Sequence, residues 1–411
     1  MSQVRQNRNE TVDILRGVAM LLVILQHTMS GCTVGSENSF LFQVAWSVQM
    51  PLFFLISGYV TRYSKAITSA GDLWKYIKKR TCAYLLPWVV WTFGVRGLVF
   101  GQTGFFNIRN LLWHMDSGYW FLFSLWTISL IFGFSRFLAR TKQEIKETAT
   151  IAVTFACGML VLAIIGAAAG MSFLCIKLTL YYMPFFFLGY VYGQYGNRIK
   201  PQIWEMTIAV SLGIWLAVLT RVDLYTMDET LMGIGIRAIS SLMGCIAVSG
   251  LVSNAKAIPG GGGHTESSGT AFPRNLSGAL SVAELGSARD GDILGDIVCG
   301  CSDSCELPVN NCVVADDHET AQFECNSSES IIRKGLVWIG EHTLEIYVLH
   351  GFFLNLFHAE RLPLFSEADG VGLVARSYIL TVLLTCAVTY LTSKNNFLRF
   401  YLYGKRKIKR E

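Results

Sequence analysis

The stretch TVDILRGVAMLLVILQHTM, residues 11–29, decides the fold. Its apolar run is long enough to cross a bilayer as a helix rising about 1.5 Å per residue, yet it carries Asp13, Arg16 and His27. Ionisable groups inside a membrane helix cost several kcal/mol unless they face the protein interior and find partners, so their presence points to function.

The composition agrees with a membrane setting. The mean hydropathy is +0.42, and 52% of residues are hydrophobic. Only 15% are charged, against about a quarter in soluble domains. Apolar runs recur and predict an all-α polytopic bundle of ten spans, at about 12–34, 40–61, 83–102, 118–137, 149–170, 176–195, 203–220, 231–252, 335–355 and 375–393.

The loops orient this bundle. With the N-terminus in the cytoplasm, the inner loops hold Arg62, Lys65, Lys75, Lys78, Lys79 and Arg80, then Arg136, Arg140, Lys142 and Lys146, then Arg198 and Lys200. The tail GKRKIKRE, residues 404–411, falls on the same side, whereas the outer loops carry only Arg109, Arg221 and Arg361. The positive-inside rule therefore predicts a multi-pass plasma-membrane protein with both termini cytoplasmic. The first apolar run is long and lacks a small-residue cleavage site, so no cleavable signal is expected. The basic loops suit anionic lipid headgroups, and no nucleic-acid partner is expected.

Three regions follow from the pattern: a membrane unit over 1–256 with spans one to eight, a polar insertion over 257–330, and spans nine and ten with the basic tail over 331–411. The insertion begins AIPGGGGHTESSGTAFPRN and ends HETAQFECNSSES; its only basic residues are Arg274 and Arg289. It is expected to be a flexible cytoplasmic segment. Cys299, Cys301, Cys305, Cys312 and Cys325, with His318, concentrate there, but they do not form the paired two-to-four-residue spacings of a zinc site, so no metal is expected. In a cytoplasmic segment the sequons at Asn275 and Asn326 would stay unglycosylated. GGGGH at 260–264 lacks the Lys-Ser/Thr of a phosphate-binding loop.

Arg16 and His27 are eleven positions apart, three helical turns plus about 20°, and so share one face. Their axial separation is about 16 Å, which places Arg16 near the inner headgroups and His27 past mid-membrane. Arg16 keeps its charge while His27 can exchange a proton near neutral pH. The alternatives are an arginine that snorkels to lipid phosphate and a histidine that merely packs. Asp13, three residues before Arg16, either orients it or caps the helix at the interface.

VDILRGVAMLLVILQH resembles the first helix of the acyltransferase-3 family of integral membrane acyltransferases, with its basic residue, ten intervening residues and histidine. MPLFFLISGYV (50–60) is similar to that family's Phe-Phe and Ser-Gly signature, and YIKKRTCAYLLPWVVW (76–91) to its basic cluster and Leu-Pro turn. SGYWFLFSLW (117–126) and WIGEHTLEIYVLHGFFL (338–354) resemble two later motifs. The resemblance covers residues 11 to about 400 outside the insertion and is greatest to the short, fucose 4-O-acetylase-like members. It implies transfer of an acyl group, commonly acetyl from acetyl-CoA, to a hydroxyl of a cell-surface or exported glycan, with no permanently bound cofactor. His27 would be general base or acyl relay, and Arg16, Lys79 and Arg80 would hold the donor's phosphates. One departure stands out: where the family often has a second arginine three residues after the first, this chain has Ala83.

Tyr347, His350 and Trp120 are the candidates for lining the acceptor path, although a His between helices also serves packing and a boundary Trp also anchors in the interface. Ser57 and Gly58 suit close helix packing. His114 and Asp116 lie in the outer loop before span four, within reach of an acceptor. Two other functions share the architecture: a small-solute uptake module like the membrane half of membrane-bound serine racemases, and an inactive relative whose insertion binds a partner. No internal repeat of Gly/Pro-broken helices, the mark of many transporters, is evident.

Overall fold

The computed structural model describes residues 9–32, 36–139, 144–257, 331–356 and 370–405. The readings made above of the acidic insertion, its cysteines and the end of the basic tail lie outside these residues. No strand occurs among the described residues, and the architecture is the all-α membrane bundle that the apolar runs predict.

Nine described helices are long and apolar enough to cross a membrane. They are α1 (Glu10–Cys32), α2 (Phe40–Tyr59), α3 (Ala70–Val99), α5 (Trp120–Leu138), α6 (Glu144–Ala169), α7 (Ile176–Tyr195), α8 (Pro201–Leu219), α9 (Leu231–Ala257) and α11 (Gly370–Ser393). Short α4 (Ile108–Trp113) lies between α3 and α5, and α12 (Asn396–Tyr403) follows α11. The ninth expected span is a shorter apolar helix, α10 (Thr343–Leu356), with residues 331–341 leading into it. His342 marks the junction, but its N–H bonds to the Trp338 carbonyl (3.2 Å) and its carbonyl accepts from Ile346 (3.0 Å), so the helical ladder runs across it.

The third span differs from its expected bounds of 83–102. Its helix starts at Ala70, where Ser69 and Asp72 form a reciprocal capping box, and it contains two wide-turn π segments, Thr81–Leu85 and Val90–Val99. Pro87 explains the first: it has no N–H to donate, and the ladder widens beside it so that Leu86 bonds back to Thr81, five residues earlier.

α1 is the central helix. Val12, Leu15, Ala19, Met20, Val23 and Ile24 are all buried, and the helix packs against α2, α9, α10 and α11. Helices in lipid gain little from burying apolar side chains against each other, so close contact depends on small residues. A methyl group at Gly58 would collide with the Phe186 carbonyl, and one at Gly189 with the Leu55 carbonyl, which locks α2 to α7 and supports the packing role read for Gly58. On α11, Ser377, Thr381, Thr385 and Thr389 recur every fourth residue and are fully buried in a bundle where α11 packs on α1 and α10.

α1 and the 331–356 segment run parallel in a fixed register. Glu10 receives two hydrogen bonds of 2.7 Å from Arg333, and His27 lies against His350; both pairs are 323 positions apart. Midway between them the helices touch backbone to backbone, since methyls at Gly17 and Gly340 would strike the Leu336 and Asp13 carbonyls.

Candidate active site

This register brings the two histidines together. Their ring centroids are 5.4 Å apart, tilted by 34°. His350 is buried, and its Nδ1 is hydrogen-bonded to the Tyr347 carbonyl. A carbonyl only accepts, so Nδ1 carries the proton and Nε2 presents a free lone pair. His27 keeps accessible surface although protein surrounds it and its neighbours Gln26, Thr28 and Met29 are buried. Among the described residues no group hydrogen-bonds to the His27 ring. Beside it, Gln49 donates to Gln26 (3.2 Å), and Gln26 donates to Ser30 (2.9 Å), a polar chain across the α1–α2 interface.

Toward the end of the bundle where α1 finishes, called the loop face here, aromatic residues close around His350. Tyr347 lies 5.5 Å from it, Phe121 and Tyr119 lie 5.3 and 6.2 Å from Tyr347, and the Tyr119 hydroxyl donates to the Val348 carbonyl (3.2 Å). Trp120 stacks on Tyr182 at 5.4 Å, and Tyr182 stacks on Phe54 at 4.6 Å, so this tryptophan belongs to an internal aromatic stack. Arg96, in the second π segment of α3, acts electrostatically on both Tyr119 and Tyr347 and donates to Gln102 (2.9 Å). Gly118 makes room for its guanidinium.

At the opposite end, the basic face, Arg16 is ion-paired with buried Asp13 at 3.4 Å. Arg80 is held between two tyrosines: it lies 5.1 Å over the Tyr76 ring, 5.8 Å over the Tyr84 ring, and donates to the Tyr84 hydroxyl (3.0 Å). Tyr76 in turn donates to the Ser129 carbonyl (3.2 Å) and occupies the space left by Gly133. Arg136, one turn beyond Gly133 on α5, also acts on Tyr76, and its Nη1 is buried without a hydrogen-bond partner among the described residues. Lys79 is exposed.

The structure thus joins His27, His350 and Tyr347 in one place. Trp120 joins them only through Phe121 and Tyr182, and Arg16 and Arg80 stand on helices that pack on different neighbours. Sequence reasoning passed over Arg96, Arg136 and Glu345. Arg96 and Glu345 are charges within expected spans, which was signal enough to single them out. Glu345 is fully buried and accepts from Lys405 at 2.7 Å. No group of His, Cys, Asp or Glu among the described residues is arranged to hold a metal ion.

The acyltransferase-domain family model matches residues 9–257, more than half of the chain. The chain belongs to the acyltransferase-3 family. No curated protein and no solved structure matches it. As an acyltransferase-3 protein it is a multi-pass membrane acyltransferase, and the matched segment contributes His27, Arg16, Arg80, Arg96 and Trp120. His350 and Tyr347 lie outside the match, on the far side of the insertion, although His350 stands beside His27.

Proposed function

We propose that this acyltransferase moves an acetyl group from acetyl-CoA, entering at the basic face, to a hydroxyl of an exported or cell-surface glycan entering at the loop face. The basic face is taken as cytoplasmic because Lys and Arg concentrate in its loops. The observation that carries the reading is the His27–His350 pair, set inside the bundle between guanidinium groups at one end and aromatic side chains at the other.

A sugar hydroxyl is a weak nucleophile at neutral pH. A ring nitrogen of His27 takes its proton as the oxygen attacks the thioester carbon. The new C–O bond forms, the C–S bond breaks, and the proton passes to the departing thiolate to give the free thiol. His350, with Nε2 bare, accepts a hydrogen bond from the acceptor hydroxyl or from protonated His27 and so fixes the direction of transfer. Arg16, Lys79, Arg80 and Arg136 are the cations available to the donor's phosphates, and guanidinium forks suit phosphate oxygens. Tyr347, beside His350, and Trp120, linked to it through Phe121, shape the acceptor side.

The test is transfer of labelled acetyl from acetyl-CoA to envelope glycan in membranes holding equal amounts of wild type and His27→Ala. The expected result is incorporation by the wild type and loss in the variant. Equal incorporation by both would remove His27 from the chemistry, and none by wild type across several donors and acceptors would overturn the acyltransfer route.

A further inference from the structure

At the loop face the structure holds a cavity of about 610 Å³ lined by Arg109, Asn110, Trp113, His114 and Ser172. Its volume lies within the ordinary range for small-molecule sites, about 300–1,000 Å³. We propose that it is a docking subsite for an acidic glycan, one carrying a carboxylate or phosphate on its sugar units. This rests on the glycan-acceptor reading above and narrows it.

The walls are built rather than incidental. Trp113 would be a mobile surface indole, but its N–H donates to the Ala169 carbonyl (3.0 Å) and its ring lies 4.9 Å from Phe173. It is therefore fixed between α4 and the α6–α7 connection with 36% of its surface still open. A held, half-open indole suits the apolar face of a sugar ring, and Asn110 and Ser172 supply donors and acceptors for hydroxyls. Among the lining residues none is acidic, while Arg109 contributes a full positive charge and a planar fork that matches carboxylate or phosphate oxygens. Two and three residues after Ser172 the backbone is strained: Leu174 and Cys175 have φ of 48° and 54°, conformations that side-chain-bearing residues avoid. Strain of this kind persists where the surroundings enforce it and gathers at ligand sites.

The cavity wall is tied to the helix that carries His350. From His114 the chain turns through buried Met115 to buried Tyr119, whose hydroxyl bonds to the Val348 carbonyl on the helix that presents His350. A glycan anchored at Arg109 and Trp113 would therefore be held by a segment fastened to the helix that carries His350.

The test is direct binding to the purified protein in nanodiscs, followed by saturation-transfer NMR, which needs no turnover. The probes are a glucuronate-containing oligosaccharide, its neutral glucose counterpart and a glycerol-phosphate oligomer. We expect an acidic probe to bind at least about tenfold tighter than the neutral one. Arg109→Gln should abolish that preference, Arg109→Lys should restore part of it, and Trp113→Ala should weaken all probes together. The carboxylate and phosphate arms separate the two sources of charge. Equal binding of acidic and neutral probes, no binding of either acidic probe, or a preference untouched by Arg109→Gln would overturn the subsite. Acetyl transfer with wild-type KM in both Arg109→Gln and Trp113→Ala would overturn it while leaving acyltransfer standing. Charge-selective binding without acetylation of any probe would keep the subsite and count against acyltransfer to such glycans.

Discussion

His27 and His350 lie 5.4 Å apart although 323 residues separate them in the chain, because α1 and the segment ending in α10 run parallel in register from Glu10–Arg333 onward. The pairing makes the histidines unequal. His350 is committed through Nδ1 to the Tyr347 carbonyl, whereas His27 keeps accessible surface and its ring has no hydrogen-bond partner among the described residues. His27→Ala is therefore expected to lower transfer by about 10²–10⁴-fold, the usual contribution of a general base. His350→Gln, which keeps a hydrogen-bonding side chain, should lose less and act mainly on KM for the acceptor. Steady-state assays with donor and acceptor varied separately check this ordering; a larger loss in His350→Gln than in His27→Ala would reverse the roles.

The register itself can be tested without touching the histidines. A methyl at Gly340 collides with the Asp13 carbonyl, while one at Gly335 on the same segment meets nothing. Overpacking of this kind costs about 1–3 kcal/mol. Gly340→Ala is expected to lower the melting temperature in detergent and also reduce transfer, since it pushes His350 away from His27. Gly335→Ala should leave both unchanged. Similar melting curves for the two variants would show that the backbone contact does not set the helix spacing.

Much of the fold is legible in the sequence. Apolar run lengths located nearly every membrane helix, because a bilayer imposes its thickness on each span. Asp13, Arg16 and His27 stood out because charge in a span is costly. The start of α3 was missed because its first turns carry Lys75, Lys78, Lys79 and Arg80, and hydropathy cannot tell an interfacial helix from a loop. The approach of His350 to His27 was not legible, since it depends on glycine contacts at Gly17 and Gly340 between segments far apart in sequence. Arg136 escaped because it read as one more positive-inside residue; only its buried, unpartnered Nη1 distinguishes it.

That nitrogen gives a further expectation. A buried guanidinium hydrogen without an acceptor is costly, and an anion at the basic face would satisfy it. Arg136→Gln should raise KM for acetyl-CoA with kcat little changed, and Arg136→Lys should recover only part, because an ammonium does not reproduce the fork. An unaltered donor KM in Arg136→Gln would assign this arginine to packing alone.

Glu345 and Lys405 tie the end of α12 to the start of α10. Glu345 is fully buried and its carboxylate accepts from Lys405 at 2.7 Å, while Gly404, with φ of 64°, sits against the Cys82 carbonyl. Removing one partner leaves an uncompensated buried charge, at a cost of about 3–5 kcal/mol. Lys405→Met should sharply lower yield and melting temperature, and Glu345→Gln added to it should restore most of the loss. No recovery in the double variant would mean that Lys405 matters through something other than this pair.

At the loop face Asp223 gives the pH dependence a definite sign. Partial burial works against its charge, but hydrogen bonds from the Thr226 hydroxyl (2.6 Å), the Thr226 and Tyr225 N–H groups (3.3 and 3.0 Å) and the Gln43 amide (2.6 Å) prevail and hold its carboxyl below the usual range. A folded pKa below the unfolded value of about 3.9 adds stability that is complete above the unfolded value and disappears as pH falls through the folded one. Gln43 belongs to α2, so these bonds pin the 220–230 connection to the bundle. Asp223→Asn should melt below wild type at pH 7, and the gap between them should shrink as pH drops below about 4. Melting curves of both proteins from pH 7 to pH 3 in one detergent isolate this residue from other carboxylates, which titrate alike in the two. A gap that stays constant across the range would show that Asp223 anchors the connection without depending on its charge.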